Sequence, residues 1–336
     1  MAVNIGLIGT GRIGKVHAEN IVYHIRDAHL TGVADVDIAS AKETATRRNV
    51  QLIADDYREI VNNPGIQAIV ICSATDTHAE IIHAAAAAGK HVFCEKPIDL
   101  DLQRVKELVL LIDRTKIKFQ LGFNRRFDPE FLALRKLLQS GEMGDIHILR
   151  ITSRDPSPPP LEYVKVSGGI FLDMTIHDFD MARFLTGSEV TEVYADGAVL
   201  IEPAFADSGD IDTAVTTLRF KNGAIGTIDN SRKTTSGYDQ RIETLTSRGM
   251  LSALNKTEDQ CQILDEKGQH SSLPLHFFLE RYTQSYRNIV QSFVDSILND
   301  TPTEVTATDG LMALKVGLGA KKSLEENRPV LLDEVG

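Results

Sequence analysis

The segment Gly168-Gly169-Ile170-Phe171-Leu172-Asp173-Met174-Thr175-Ile176-His177-Asp178-Phe179-Asp180 carries groups suited to moving a proton at a hydroxyl. A helix would place Asp173 and His177, four residues apart, on one face, with Asp180 continuing the stripe. Imidazole titrates near neutrality, so His177 can accept a hydroxyl proton as hydride leaves the same carbon, while Asp173 fixes the ring or holds a neighbouring hydroxyl. The same spacing fits a core histidine, a metal held by Asp173, His177 and Asp180, or an Asp180 that pairs with Arg183 one turn on. Gly168 and Gly169 would let a flat ring and a small polyol come close to the backbone.

Cys94-Glu95-Lys96-Pro97 follows the strand candidate His91–Cys94, at the carboxyl edge where open α/β sheets bind ligands. Pro97 restricts Lys96 to an extended conformation. A lysine fixed there can donate to an oxygen on a substrate carbon and stabilise developing negative charge. Equally, it can be a surface lysine whose stem packs on the domain edge.

Gly9-Thr10-Gly11-Arg12-Ile13-Gly14 follows the apolar run Val3–Ile8, and Asp35 lies 21 residues beyond Gly14. That is a dinucleotide-binding fingerprint in context. Gly9 permits the tight turn, Gly11 the approach of a pyrophosphate, and Gly14 close helix–sheet packing, with the helix N-terminus facing the phosphates. Asp35 would accept the ribose hydroxyls and repel a 2′-phosphate, which favours NAD over NADP; Arg12 partly offsets that repulsion, and Asp37 is an equal candidate for a merely solvated strand-end acid.

Alternating elements must hold these groups. Strand candidates Val3–Ile8, Leu30–Asp35, Ala68–Cys72, His91–Cys94 and Phe119–Gly122 interleave with helical patterns at Ile13–His24, Ile38–Arg48, Ala79–Ala88 and Leu102–Asp113. Such alternation predicts a doubly wound parallel sheet. Past residue 122 come a helix at Pro129–Gln139, a strand at Ile146–Thr152, a proline-rich loop, a helix at Asp173–Leu185, and β-type runs at Val190–Leu200, Thr213–Phe220, Ala224–Asn230 and Ile242–Thr246. Asn222-Gly223 predicts a type I′ hairpin. The expected fold is α/β: a Rossmann domain over 1–122 and, over 123–336, an α+β domain with a largely antiparallel open sheet. The closing helices, near Tyr282–Leu298 and Asp309–Glu325, are expected to pack back on the body.

Of the 336 residues, 42% are hydrophobic and 25% charged, which fits a globular protein large enough for two cores. A net charge of −11 disfavours nucleic acid or an anionic membrane as partner. Cys72, Cys94 and Cys261 show neither disulfide nor zinc spacing, and no signal peptide or membrane-length apolar run is apparent, so the expected location is cytoplasmic and no metal is expected.

Together, GTGRIG, FCEKP and GGIFLDMTIHDFD resemble the Gfo/Idh/MocA family of NAD(P)-dependent oxidoreductases, and within it the bacterial inositol 2-dehydrogenases. The resemblance spans essentially the whole chain. It implies Lys96, Asp173 and His177 as a catalytic trio meeting at one carbon. It places Gly9, Gly11, Arg12, Ile13, Gly14, Asp35, Ser73, Thr75, His78, Glu95, Lys96, Pro97 and Arg125 about the cofactor, NAD. Around the substrate it places Lys96, Asn124, Arg125, Ser153, Asp155, Asp173, His177 and Tyr238. The implied activity is oxidation of a secondary hydroxyl of a cyclic polyol, with myo-inositol giving 2-keto-myo-inositol (scyllo-inosose) as the leading case. A scyllo-inositol or glucose-type dehydrogenase and a non-catalytic NAD(P)-binding regulator are the alternatives. Some relatives carry Asn in place of Asp155 and His in place of Ser153, which leaves the accepted stereochemistry open. A homotetramer built through the open sheet face is also implied.

Overall fold

Strand β1 (Val3–Ile8) is buried on both faces, as the continuous apolar run requires of an inner strand in a parallel sheet. The computed structural model describes residues 2–336, and the chain divides into two units, Met1–Phe127 with Gln284–Leu314 and Asp128–Thr283 with Lys315–Gly336.

In the first unit, β1 is followed by α1 (Arg12–Tyr23), β2 (Ala28–Ala34), α2 (Ile38–Thr46), β3 (Leu52–Ala54), α3 (Tyr57–Val61), β4 (Ala68–Ile71), α4 (Thr75–Ala87), β5 (His91–Cys94), α5 (Leu102–Arg114) and β6 (Phe119–Leu121). The six strands pair in parallel in the order β3-β2-β1-β4-β5-β6. The doubly wound sheet is therefore as expected, with one strand more than the apolar runs predicted. β3 is only three residues long, too short to show a periodicity. Strand order reverses between β1 and β4, so a crevice opens at their carboxyl ends.

The second unit contains α6 (Pro129–Gln139), β7 (Ile146–Arg154), α7 (Leu161–Ser167), α8 (Gly169–Asp173), α9 (Ile176–Thr186), β8 (Val190–Ala198), α10 (Ala204–Asp207), β9 (Thr213–Phe220), β10 (Ile225–Ser231), β11 (Asp239–Thr246), β12 (Gly249–Ala253), the hairpin β13 (Gln262–Asp265) and β14 (Gly268–Ser271), and α11 (Phe278–Arg281). Seven strands run in the order β12-β11-β7-β10-β9-β8-β15, with β15 at Val330–Leu331. Every pair is antiparallel except β7 with β10. Buried and outward residues alternate along β9, so one face packs the core and the other is open. On that open face Met250, Leu245, Ile148 and Ile225 lie opposite one another across four strands, each between 38% and 56% exposed.

Of the closing helices, α12 (Thr283–Leu298) docks in the first unit, where Gln120 on β6 donates to the Ile289 carbonyl at 2.6 Å. The last, α13 (Ala307–Glu326), contributes its residues up to Leu314 to the first unit and the rest to the second.

Two local expectations are corrected. The 222–223 turn is a hairpin, yet only Gly223 has positive φ (+91°). Gly223 N–H donates to Phe220 O, and Phe220 N–H donates to Ala224 O, which makes a three-residue loop closed by a left-handed glycine in place of type I′. The helix expected over Asp173–Leu185 is broken, with α8 ending at Asp173 and α9 starting at Ile176. Thr175 sits at the break: its hydroxyl lies 2.8 Å from Asn230 Oδ1, to which it donates, and 3.1 Å from Ile170 O, which also accepts from its backbone N–H at 2.9 Å, diverting the ladder. Among the described residues no helix is long and apolar enough to cross a membrane.

Candidate active site

The glycine turn joins β1 to α1. Gly9 adopts φ +92°, and a Cβ there would lie 2.4 Å from Ser73 N on the turn after β4. A Cβ on Gly14 would lie 2.0 Å from Gly9 O, so α1 can lean on the turn only without one. Gly11 differs: nothing stands within 4 Å of its Cβ direction. It also caps α1 with no side-chain hydrogen bond, whereas Asp37, Asp56 and Asp101 cap α2, α3 and α5 with their carboxylates. The first amides of α1 and the space over Gly11 thus fit a pyrophosphate. Arg12 is exposed and Ile13 half-buried at this helix start.

The two acids after β2 separate cleanly. Asp37 Oδ1 accepts from Ala39 N at 3.0 Å as the cap of α2. Asp35 is half-buried, and its Oδ2 accepts from Thr10 N (2.5 Å) and Thr10 Oγ1 (2.8 Å) within the glycine turn. Its Oδ1 accepts only from Asp37 N at 2.9 Å, so a lone pair remains for a ribose hydroxyl. The donor set of this unit fits NAD.

Ser73 and Thr75 are half-buried at the start of α4. Ser73 Oγ meets Thr77 Oγ1 at 2.7 Å. His78, expected at the cofactor, is 1% exposed, with Nδ1 2.9 Å from Pro97 O and Nε2 3.1 Å from Ser73 O. Burial lowers its pKa against the pull of the two carbonyls. The imidazole holds the turns after β4 and β5 together and presents no nitrogen outward, because a side chain so enclosed serves the backbone on either side.

Glu95, Lys96 and Pro97 follow β5, and the Lys96–Pro97 peptide is cis. Glu95 Oε1 meets Nε2 of His17, a fully buried ring on α1, at 2.7 Å. Phe93 and Tyr286 stack edge-on against that ring at 5.1 and 5.8 Å. Glu95 Oε2 accepts from Lys96 N at 3.3 Å, and a Cβ on Gly122 would lie 2.8 Å from the same oxygen. Lys96 is half-buried. Beyond β6, Asn124–Phe127 forms a 3₁₀ turn in which Asn124 donates to Ser285 Oγ at 3.1 Å and Arg125 is 4% exposed. Burial, reinforced by the Glu95 charge, pushes the Cys72 and Cys94 thiols up, so neither is a ready nucleophile.

In the second unit Asp173 closes α8. Tyr163 OH donates to its Oδ1 at 2.8 Å, and Arg232 Nη1 to its Oδ2 at 3.1 Å. The same Nη1 stands 3.9 Å from Asp155 Oδ2, so one guanidinium gathers two of the expected substrate residues. His177 is half-buried in the first turn of α9. The next residue, Asp178, is fully buried and accepts from Asn230 Nδ2 (3.0 Å) and Gln240 Nε2 (3.4 Å). Asn230 Nδ2 also reaches the carbonyl of the fully buried Ser153 (3.4 Å). Thr175, Asn230 and Asp178 therefore fix the start of α9 against β7 and β10. Tyr238 is 4% exposed and packs edge-on against Tyr282 at 5.9 Å, with Gly237 turning beneath the Pro274 carbonyl.

Several expectations change here. The direction of a Cβ on Gly169 is occupied by Asp210 Oδ1 at 2.7 Å, and that oxygen accepts from Ile170 N at 3.0 Å. Gly169 thus admits a capping carboxylate from its own unit, not a ligand. Arg183 makes a two-pronged pair with Glu189 at 2.7 Å for each contact, which leaves the expected pairing with the buried Asp180 unaffected. Among the described residues no three His, Cys, Asp or Glu side chains gather as a metal site. Sequence reading missed His17, Tyr163, Asn230 and Arg232. Only His17, one turn after Gly14 on the apolar face of α1, left a local signal.

Residues 3–123 match the oxidoreductase family with an NAD-binding Rossmann fold, and residues 131–252 match the GFO/IDH/MocA C-terminal domain. A myo-inositol 2-dehydrogenase of Thermotoga maritima is 48% identical over 333 residues, covering 99% of both chains. The crystal structure of a probable dehydrogenase from Thermotoga maritima superposes with a TM-score of 0.97 at 48% identity, covering 99% of this chain and 100% of that one. A scyllo-inositol dehydrogenase from Lactobacillus casei, solved with NAD(H) and scyllo-inositol, gives 0.93 at 32% identity, covering 99% and 100%.

Proposed function

The chain belongs to the Gfo/Idh/MocA oxidoreductase family, and on that premise we propose that it is an NAD-dependent dehydrogenase oxidising a secondary hydroxyl of a cyclic polyol, foremost myo-inositol to 2-keto-myo-inositol. One observation carries this reading: the 48% identity to a protein named myo-inositol 2-dehydrogenase runs through 99% of the chain, including both the glycine turn and the Asp173–His177 segment.

In this reading the amides of α1 and the open side of Gly11 hold the pyrophosphate, and Asp35 accepts the ribose hydroxyls. NAD, when bound, supplies the hydride acceptor. His177 takes the proton of the reacting hydroxyl. Lys96 donates to that oxygen and lowers the cost of its negative charge. Asp173, its oxygens already met by Tyr163 and Arg232, accepts from a neighbouring hydroxyl and orients the imidazole. Ser153, Asp155, Asn124, Arg125 and Tyr238 complete the substrate surroundings, directly or by shaping them, and Ser73, Thr75 and His78 do so for the cofactor.

Purified protein given NAD and a panel of inositol isomers and sugars, followed by absorbance of the reduced coenzyme, tests this. Fastest turnover with myo-inositol is expected. A preference for the scyllo isomer would move the assignment to the rival favoured by the likeness to the Lactobacillus casei enzyme. Tight NAD binding with no turnover of any polyol would point to a regulator.

The proposal extends to a cytoplasmic homotetramer assembled through the open face of the seven-stranded sheet. The exposed row Met250, Leu245, Ile148 and Ile225 supports it, since a contiguous apolar stripe across four strands favours burial against a second copy. Light scattering should give a tetramer for the wild type and a smaller species for Leu245→Lys; a monomeric wild type would refute the assembly.

A further inference from the structure

We propose that Arg232 is a positioning residue for the oxidation, holding Asp173 in the orientation that the reacting polyol meets. The inference rests on the dehydrogenase reading above and deepens it. Arg232 follows β10, is 2% exposed, and is tied by its own backbone N–H to Asp212 O at 2.8 Å. Its Nη1 serves Asp173 Oδ2 at 3.1 Å and stands 3.9 Å from Asp155 Oδ2.

The manner of burial separates this arginine from those that only hold the fold together. Arg183 engages Glu189 through two nitrogens. Arg281, on α11, sets both Nη atoms on Asp128 and Glu130. These are forked pairs with good geometry, as expected where a guanidinium is buried for structure. Arg232 makes no protein hydrogen bond through Nε or Nη2. A buried cation with a single engaged arm is a poor way to stabilise a fold. That arm points at two carboxylates belonging to the polyol side of the reaction. Tyr163 supplies the second fixed donor to Asp173, on the other oxygen. With a guanidinium on one oxygen and a phenol on the other, the carboxylate is held in one orientation.

The test uses the full-length protein with NAD and the best polyol of the panel, in wild type, Arg232→Gln, Arg232→Lys and Tyr163→Phe, with thermal melts run alongside. Arg232→Gln should lower kcat about 10²-fold, the penalty of a misplaced reacting partner, while KM for NAD stays within about 2-fold. Arg232→Lys should recover at least about 10-fold of that loss, because the charge returns without the planar fork. Tyr163→Phe should lower kcat by about 5- to 10-fold at unchanged melting temperature, the effect of one lost hydrogen bond. In each slowed variant the isotope effect with polyol deuterated at the reacting carbon should rise, since chemistry becomes limiting. Arg232→Gln and Tyr163→Phe both within 2-fold of wild type in kcat and isotope effect would overturn the proposal. If Arg232→Gln fails to fold, equal kcat in wild type, Arg232→Lys and Tyr163→Phe would overturn it just as surely. A wild type that turns over no polyol defeats the dehydrogenase reading and this inference with it, whereas an active wild type with indifferent variants defeats the inference alone.

Discussion

The two units present their functional groups in different ways. In the first, the surface proposed to face a ligand is chiefly main chain: a left-handed Gly9, the open flank of Gly11, the uncapped amides of α1 and the turn ends after β4 and β5. In the second, it is side chains, carried on a helix broken at Thr175 and held by partners far along the chain: Asn230 55 residues from Thr175, Arg232 59 residues from Asp173. A main-chain site tolerates change in side chains but not in backbone geometry. A side-chain site has the reverse sensitivity. Binding a dinucleotide, with its repeated phosphates and hydroxyls, suits the first kind of construction. Placing one base and one carboxylate at one carbon demands the second.

That contrast can be broken most forcefully at the proposed chemistry. His177→Ala and Lys96→Ala should each lower turnover by roughly 10²- to 10⁴-fold with NAD affinity little changed; coenzyme titration beside steady-state kinetics reads both, and turnover within a few-fold of wild type would remove either residue from its role. Within the main-chain site, Gly14→Ala sets a Cβ 2.0 Å from Gly9 O and should destabilise the protein by about 1–3 kcal/mol or more while abolishing NAD binding. Gly11→Ala meets nothing within 4 Å, so it should melt like the wild type yet lose the upward shift of Tm that NAD confers. A normal NAD shift in Gly11→Ala would show that the phosphates approach elsewhere. Asp35→Ser should weaken NAD by about 10-fold and relatively favour NADP; an unchanged preference in paired titrations speaks against its role.

The smallest expected effect concerns a carboxylate that merely braces the second unit. Burial would raise the pKa of Asp212, but hydrogen bonds from the backbone N–H groups of Leu200, Glu202 and Ile201 and from the Thr213 hydroxyl outweigh it and hold it below its ordinary value of 3.8. A depressed folded-state pKa contributes stability that is complete above the ordinary value and is lost as pH falls through the folded one. Asp212→Asn should therefore cost about 2 kcal/mol at neutral pH and progressively less below pH 3.8. Urea denaturation at both pH values measures it; a difference constant with pH would mean that the charge is idle.

What could be read from residue order follows the same division. The β1 turn, the carboxylate after β2 and the exit of β5 are encoded by neighbours: an apolar run, glycines at fixed offsets, and a proline after a lysine. Strand alternation along β9 and the helix Pro129–Gln139 were legible for the same local reason. The three residues of β3 were too few to declare a period. The break in the Asp173–Leu185 helix was hidden because the diverting partner of Thr175 lies on β10. At Gly169, the direction that invited a ligand-facing reading is taken by Asp210, 40 residues from Ile170. Arg232, in a serine- and threonine-rich stretch after a strand, has no neighbour that hints at Asp173. Spacing alone left core, metal and proton-acceptor readings of His177 open, and the trio of Lys96, Asp173 and His177 came only from the resemblance carried by the three motifs together.

The buried contact between His17 and Glu95 has a mechanical corollary. One bond joins the helix that receives the phosphates to the residue immediately before Lys96, with aromatic rings packed about it. From Glu95 the connection continues to the lysine's own peptide, whose N–H donates to Oε2 at 3.3 Å. In the proposed reading the seat of the coenzyme and the posture of Lys96 thus share one brace, and a substitution that loosens the imidazole should disturb both.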